Sequence, residues 1–250
     1  MNMDKESGKF YSGFVSLVGR PNVGKSTLMN TLVGEKIAIV SHKPQTTRNK
    51  ITAVLTKDDF QAVFIDTPGI HKPKNRLGAF MLKSAETALD EVDICVALVQ
   101  PGISERDKPV LERVARVKSP VFLVINKVDT VERPALLPLT DHYRNILPFA
   151  EIIPLSARTG ENTDRLLERI RHYLPEGPRY FPDDMITDQP ERAIVSELIR
   201  EKALLALAEE IPHGVAVEIL SMKKRERSET VDIEASVYVE RDSHKAIVIG

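Results

Sequence analysis

An eight-residue stretch near the start of the chain, residues 19–26, constrains the fold more than any other feature. It matches the pattern G-x-x-x-x-G-K-[ST], in which two glycines let the backbone curl so that N–H groups point inward at a phosphate. A β-prone run at residues 14–18 precedes it and a helix-like run at residues 26–33 follows it, which favours a phosphate-binding loop over a chance glycine-rich turn. Lys25 can reach the terminal phosphates, and the Ser26 hydroxyl can bind Mg²⁺. The residues here that are predicted to contact nucleotide are Gly19, Arg20, Pro21, Asn22, Val23, Gly24, Lys25, Ser26 and Thr27.

Short apolar runs and helical patterns alternate through the first 174 residues. Strands are predicted at residues 14–18, 50–56, 60–65, 94–99, 121–125 and 152–155, and helices at residues 26–33, 77–89, 107–117, 134–146 and 163–173. Such alternation is typical of a mostly parallel sheet covered by helices on both faces. The turn at residues 57–59 joins two strands without a helix, so one edge strand should be antiparallel. The predicted fold class is α/β, with a mostly parallel six-stranded sheet that binds ligands beyond its C-terminal strand ends.

A second motif, Asp66-Thr67-Pro68-Gly69, follows the third predicted strand. The Asp66 carboxylate can hold the hydration shell of Mg²⁺ from the side opposite Ser26, and the Gly69 N–H can meet a γ-phosphate. The alternative is a plain Pro-Gly turn that ends a strand. The spacing from the phosphate loop disfavours that alternative.

Two more motifs follow the fifth and sixth predicted strands. Asp129, in the run that begins Asn126-Lys127, can accept two hydrogen bonds from the N1–H and 2-amino groups of guanine. Adenine has neither donor, and an unmatched acceptor lowers affinity, so this aspartate argues against an ATPase. The alternative is a strand-end turn with solvated charges. After the sixth strand come Ser156 and Ala157, and the Ala157 N–H can meet the 6-oxo group of guanine.

Together these motifs resemble the GTP-binding domain of the translation-factor-related P-loop class, from residue 14 to about residue 173. The resemblance implies that Thr47, with Thr46 as the alternative, is a second Mg²⁺ ligand in a segment that orders on the γ-phosphate. Many such proteins place a glutamine after the glycine of the second motif to orient water, but Ile70 stands here and cannot hydrogen-bond water.

Asn22 suggests another device. Relatives with a similar phosphate loop use this asparagine to hold a potassium ion beside the phosphates, which predicts potassium-stimulated hydrolysis. The alternative is that Asn22 only stabilises the loop. The expected catalytic residues are Lys25, Thr47, Gly69 and Asn22, and the expected metal ligands are Ser26, Thr47 and Asp66 for Mg²⁺ and Asn22 for K⁺.

Composition places few limits on partners. The net charge is −1, with 42% hydrophobic and 28% charged residues, as in ordinary soluble globular proteins. The single cysteine, Cys95, lies in an apolar predicted strand and suits a reducing cytoplasm. Residues 1–9 lack the apolar core of a signal peptide, and no apolar run approaches the ~20 residues that span a bilayer. We expect a cytoplasmic monomer that binds GTP and GDP and no DNA.

The composition changes after residue 174. Four prolines fall within residues 175–190, which predicts a linker between two domains. A helix is predicted from residue 191 to about residue 210. Alternating apolar residues then predict antiparallel strands at residues 215–222 and 231–240, joined by a polar loop at residues 223–227.

Residues 180–188 and 199–202 resemble the Era family. That family joins a GTPase domain to a C-terminal KH domain, binds the 3′ end of 16S ribosomal RNA, acts in assembly of the small (30S) ribosomal subunit, and has been linked to the membrane periphery. The resemblance implies the same roles here, with residues 191–250 as a type II KH domain of α+β structure. Residues 246–250 resemble the lead-in to the GxxG loop that clamps nucleic-acid backbone, so we expect the chain to stop within this domain. The candidate RNA contacts are Lys223, Lys224, Arg225 and Gly250.

The charge of the second domain does not favour a broad RNA-binding surface. From residue 188 onward there are 9 basic and 13 acidic residues, so no broad positive surface is expected, and residues 223–227 also suit a solvated hairpin tip. Strands without full helical cover predict an exposed apolar face and poor solubility. Two alternatives remain: another potassium-type GTPase, which residues 180–202 disfavour, and a GTP-binding module without turnover, which Ile70 suggests.

Overall fold

The computed structural model describes residues 8–38, 51–66, 92–207 and 215–249, and its larger sheet has six strands. These are β1 Tyr11–Gly19, β2 Ile51–Thr56, β3 Phe60–Asp66, β4 Ile94–Val99, β5 Val121–Asn126 and β6 Glu151–Leu155. Their order across the sheet is β2-β3-β1-β4-β5-β6. The β2–β3 pair is antiparallel and the other four pairs are parallel. The predicted α/β class and the antiparallel edge strand are confirmed.

Four helices of this part of the chain lie within the described residues. They are α1 Lys25–Val33, α2 Lys108–Val114, α3 Leu136–Arg144 and α4 Thr163–Tyr173. The bounds predicted for β4 and α4 are confirmed. Helices α2 and α3 are shorter than predicted at both ends: the 3-10 turns Glu105–Asp107 and Arg133–Ala135 replace their first residues, and the helices end at Val114 and Arg144. The helix predicted at residues 77–89 lies outside the described residues.

The sheet separates two apolar cores. Because successive side chains of a strand point to opposite faces, β4 contributes Val96 and Leu98 to the core beneath α1 and α4. On the other face it contributes Cys95 and Val99 to the core beneath α2 and α3. Burial raises the pKa of the Cys95 thiol to about 12, so the thiol stays neutral. These cores fix the C-terminal strand ends, where the predicted motifs lie.

The segment of residues 175–190, here named the strap, runs along one end of the sheet without forming a helix or strand. The Gly177 N–H donates to the Phe10 C=O at 3.0 Å, just before β1. At the edge of the sheet, the Val54 N–H of β2 donates to the Ile186 C=O at 2.8 Å. The prolines predicted a linker, and the structure shows that this segment is bonded to the sheet and protects part of its edge.

Gln61 of β3 fixes the middle of the strap. Its buried side chain accepts hydrogen bonds from the N–H groups of Tyr180 at 2.8 Å and Phe181 at 3.0 Å. The same amide donates to the Phe181 C=O and to Thr56 Oγ1, both at 2.9 Å. The rings of Tyr180 and Phe14 then pack with their centroids 5.2 Å apart. One glutamine thus satisfies three backbone groups of the strap.

The rest of the chain forms a smaller α+β unit. Its elements are α5 Glu191–Ala206, β7 Val215–Lys224, β8 Val231–Val239 and α6 Asp242–Ile249. Leu204 and Val215 are buried between α5 and the antiparallel β7–β8 hairpin. Ile233 and Val237 of β8 keep 43% and 39% of their surface exposed, so the predicted exposed apolar face is present. The poor solubility expected from it stays a prediction.

The hairpin also corrects one sequence prediction. The sequence predicts a polar loop at Lys223 and Lys224, but β7 continues through both, because Lys223 pairs with Asp232 and Lys224 with Val231 across the hairpin. The turn therefore begins later than predicted. Among the described residues, no helix is both long and apolar enough to cross a bilayer.

Candidate nucleotide-binding site

The phosphate loop, residues 19–26, links the end of β1 to the start of α1. Gly24 precedes α1 with a φ of 102°, and a Cβ at this position would lie 2.2 Å from Asn126 Nδ2. The same amide donates to the Val23 C=O at 2.7 Å and so ties the loop to the end of β5. Asn22 has a φ of 64°, a left-handed conformation that is uncommon for a residue other than glycine.

Lys25 lies inside the curl of this loop. Its ammonium group donates to the C=O groups of Gly19 at 3.2 Å and Arg20 at 3.3 Å, and the side chain is buried. Burial lowers the pKa of Lys25 below its ordinary value, and the Asp66 carboxylate partly offsets this shift. A phosphate beside the ammonium would favour its charged form, so this position suits an anionic ligand.

Two oxygen donors meet beside Lys25. Ser26 Oγ lies 2.6 Å from Asp66 Oδ2, although the two residues belong to α1 and β3. Mg²⁺ prefers oxygen ligands, and a hydroxyl and a carboxylate of this kind are the donors it takes. The two side chains therefore fit the predicted Mg²⁺ site, with Asp66 fully buried at the end of its strand.

Asp129 lies at the base-binding end, in the short 3-10 turn after β5. Ser156 Oγ donates to one carboxylate oxygen at 2.6 Å, and Arg158 Nη2 donates to the other at 2.5 Å. The Ser156 hydrogen bond, more than the Arg158 charge, lowers the pKa of Asp129 below its ordinary value. The carboxylate therefore stays ionised at neutral pH and keeps the acceptor character that guanine recognition requires.

Two neighbouring side chains of the same motif brace the site. Asn126 Oδ1 accepts the Ala157 N–H at 2.9 Å, and the Ala157 C=O accepts the Thr31 hydroxyl of α1 at 2.6 Å. Lys127 Nζ donates to the Asn22 C=O at 2.8 Å. The predicted base-binding motifs are therefore bonded to the phosphate loop from two directions.

The structure brings together the predicted nucleotide-binding residues that lie within its described part, on the C-terminal ends of β1, β3, β5 and β6. Thr46, Thr47, Thr67, Pro68, Gly69, Ile70 and Gly250 lie outside the described residues. Sequence reasoning missed Gln100, Asp107 and Arg158, which also contact this site. Gln100 directly follows β4, and the strand-end rule that located the other motifs could have identified it.

The candidate RNA contacts lie far along the chain, on the β7–β8 hairpin. Lys224 Nζ lies 2.9 Å from a Glu229 oxygen, and Arg225 donates to both oxygens of Asp232 at 2.7 to 3.0 Å. All four side chains are exposed to solvent. These cations are therefore already paired with carboxylates of their own hairpin.

Comparison with known proteins agrees with this geometry. A family model described as a 50S ribosome-binding GTPase matches residues 14–127. GTPase Era of Clostridium novyi is 56% identical over 96% of this chain and 82% of its own length, and that of Clostridioides difficile is 57% identical over the same shares. The chain belongs to the Era family of GTPases. A crystal structure of Era with MgGDPNP and nucleotides 1506–1542 of 16S ribosomal RNA matches 96% of this Era-family chain with a TM-score of 0.91 and 39% identity.

Family membership confirms one prediction and agrees in part with a second. The chain is a GTP-hydrolysing enzyme, which sets aside the alternative of a GTP-binding module without turnover. The smaller unit is compatible in part with the predicted KH-type domain, since the Era match extends over 96% of the chain. That Era crystal structure is covered over 83% of its length by the present chain.

Proposed function

We propose that this Era-family GTPase is a switch that binds the 3′ end of 16S ribosomal RNA and assists assembly of the 30S subunit. The observation that carries the proposal is the likeness, at a TM-score of 0.91, to an Era bound to nucleotides 1506–1542 of 16S ribosomal RNA. The 16S molecule belongs to the small subunit, which favours the 30S over the 50S named in the family description. That description matches residues of the GTPase part alone.

For hydrolysis, each side chain has a distinct task. Lys25 would hold the terminal phosphates, and Ser26 and Asp66, whose oxygens lie 2.6 Å apart, would together hold Mg²⁺. When bound, Mg²⁺ supplies positive charge that stabilises the triphosphate as charge shifts during transfer. Asp129 selects guanine, with Ser156 and Arg158 keeping its carboxylate in place.

A potassium ion held by Asn22 completes the proposal for the chemistry. Asn22 is exposed on the phosphate loop, and its amide oxygen is of the kind that alkali cations accept. The GTPase rate should therefore be higher in KCl than in NaCl at matched ionic strength, and Asn22→Gly should lose this difference. Equal rates of the unmodified protein in the two salts would contradict the potassium site and leave the Mg²⁺ site untouched.

RNA binding is tested with the chain loaded with a non-hydrolysable GTP analogue. It is titrated with a 16S 3′-end oligonucleotide and with a scrambled oligonucleotide across a salt series. We expect tighter binding to the 16S sequence and a linear fall of log affinity with log salt. Equal affinity for the two oligonucleotides would contradict the proposed RNA role.

The hairpin cations have a matched control within the chain. Arg225→Gln removes an exposed arginine that is paired with Asp232, and Arg144→Gln removes one that is paired with Asp141 on α3. If Arg225 contacts a phosphate, its variant should lower the salt slope by about 1, while Arg144→Gln should not change it. Equal slopes for both variants would remove Arg225 from the RNA surface.

A further inference from the structure

A series of hydrogen-bonded side chains joins the phosphate loop to the end of β4 and the start of α2. Asp107 Oδ1 accepts from Arg20 Nε at 2.8 Å, and Arg20 Nη2 donates to Gln100 Oε1 at 2.9 Å. Gln100 Nε2 then donates to the C=O of Asn22 at 2.8 Å. These contacts span about eighty positions of sequence, and no motif in the chain marks them.

This hydrogen-bonded series ends at the backbone C=O of Asn22. Asn22 holds a φ of 64°, a left-handed conformation that asparagine adopts more readily than most residues with a side chain but that remains uncommon outside glycine. Its C=O accepts two hydrogen bonds, one from Gln100 and one from Lys127 Nζ, each 2.8 Å long. With its carbonyl held, the backbone of Asn22 and the direction of its Cα–Cβ bond, from which the side chain starts, are held as well.

Gln100 suits this position because an amide offers an acceptor and a donor at once. Its oxygen faces a guanidinium and its nitrogen faces a carbonyl, so the two neighbours allow one orientation of the amide. The guanidinium is set in turn by Asp107, which is only 1% exposed at the start of α2. A charge-assisted bond to a buried carboxylate is a firm anchor for Arg20.

We propose that Gln100, oriented by Arg20 and Asp107, is a positioning residue for GTP hydrolysis that holds Asn22 in its left-handed conformation. The inference rests on the proposed catalytic role of Asn22. Gln100 touches neither nucleotide nor metal in this account, and it acts only through the backbone of the phosphate loop. It extends the site to the end of β4, a strand from which the sequence motifs take no residue.

The test is a double-mutant cycle on kcat and KM for GTP. Gln100→Met keeps the length of the side chain and removes both hydrogen bonds, and Asn22→Gly removes the side chain that is to be positioned while tolerating the φ of 64°. We expect Gln100→Met to lower kcat about three- to tenfold with KM for GTP changed less than about twofold, the size expected for loss of the hydrogen bond to the Asn22 C=O. In the Asn22→Gly background, Gln100→Met should change kcat less than about twofold. Single-turnover reactions with enzyme in excess keep the slow variants measurable.

Two further variants sharpen the result. Gln100→Glu keeps the acceptor for Arg20 and loses the donor to Asn22, so it should also lower kcat. Gln189→Met is the matched control, because the Gln189 amide donates to Asp188 on the surface of the strap and should leave kcat unchanged. Melting temperatures and GDP affinities of all variants should stay close to those of the unmodified chain.

The outcomes distinguish the positioning role of Gln100 from the proposed role of Asn22 in hydrolysis. If Asn22→Gly is slow and Gln100→Met is as fast as the unmodified protein, the positioning role of Gln100 is wrong. An equal loss from Gln100→Met in both backgrounds would mean that it acts elsewhere, and would also overturn the inference. If Asn22→Gly hydrolyses GTP at the normal rate, the proposed role of Asn22 is the one that fails.

Discussion

At the scale of single residues, one buried amide joins three motifs that are far apart in sequence. Asn126 donates to the Val23 C=O of the phosphate loop and accepts the N–H groups of Lys127 and Ala157. Its carbonyl and its amino group are both engaged, so its conformation is determined by the protein itself. The base and phosphate sites are consequently held at a fixed separation before any nucleotide arrives.

The close approach of this amide to Gly24 gives a direct prediction. Gly24→Ala would place a Cβ 2.2 Å from Asn126 Nδ2 at a φ of 102°, so the loop must shift and GDP affinity should fall at least about tenfold. Gly34→Ala is the matched control, since its φ is 84° and nothing lies within 4 Å of the new Cβ. The control should cost about 1 kcal/mol of stability and leave GDP affinity unchanged. Titration with a fluorescent GDP analogue and thermal melts measure both quantities, and equal GDP affinities would contradict this account.

Asp129 yields a prediction about which base is bound. Asp129→Asn replaces one acceptor by a donor, so guanine should bind about 100-fold less tightly, because its 2-amino group then faces an amino group. Xanthine carries an oxygen at that position and should bind the variant better than guanine does. Competition between GDP and XDP measures the switch, with Asp141→Asn as a control for an exposed aspartate remote from the base. An unchanged order of preference would show that Asp129 does not read the base.

At the same scale, the sequence predicted the site residues that lie in local motifs, but not those whose partners are distant in sequence. Lys25 and Asp129 could be predicted because each lies at a fixed offset from a strand and a turn. Asp107 could not, because its partner Arg20 is 87 positions away and its burial depends on the packing of α2. A lone acidic residue before a helix reads as an ordinary N-cap, although here the carboxylate anchors the phosphate loop.

At the scale of elements, apolar periodicity located the strands of the sheet well and their polar ends poorly. The bounds of β4 were predicted correctly because all six of its residues are buried. β7 extends to Lys224 because cross-strand pairing and the ion pair with Glu229 hold its polar end, and hydrophobic alternation carries no signal for such pairs. Proline content marked the strap as irregular and could not reveal its bonds to β2 and β3.

The strap depends on one buried side chain. Gln61→Leu would leave the N–H groups of Tyr180 and Phe181 and the Phe181 C=O without their present partner, at about 1–3 kcal/mol for each group that stays buried. We expect the free energy of unfolding to fall by about 2–4 kcal/mol and amide exchange in the strap to accelerate. Gln189→Leu, at the surface of the strap, should change neither quantity. Urea titration and hydrogen exchange measure the two effects, and unchanged exchange in the strap would refute the role of Gln61.

At the scale of the whole molecule, an ion pair with a buried carboxylate connects the larger unit to the smaller one, and the apolar cores of the two units differ in size. Glu201 of α5 is 4% exposed and lies 2.6 Å from Lys36 Nζ, in the turn after α1. The strap provides the second connection, through Val54 and Ile186 at the edge of the sheet. The larger unit has apolar cores on both faces of its sheet, whereas Leu204 and Val215 are the buried apolar residues among the described part of the smaller one.

This inequality predicts that the two units lose structure at different urea concentrations. The amides of β7 and β8 should exchange at lower urea than that at which Cys95 is labelled by a thiol reagent, because Cys95 is fully buried in the central strand β4. GDP at 100 times its Kd should raise the free energy of unfolding measured by Cys95 labelling by about 2.7 kcal/mol and leave the exchange of the hairpin unchanged, since the described residues of the candidate nucleotide site lie in the larger unit. Leu204→Ala should lower the urea midpoint of hairpin exchange alone, and Val110→Ala, a truncation of a buried side chain on α2, should lower the urea midpoint of Cys95 labelling. A single coincident transition, shifted as a whole by GDP, would mean that the ion pair and the strap couple the units into one cooperative body.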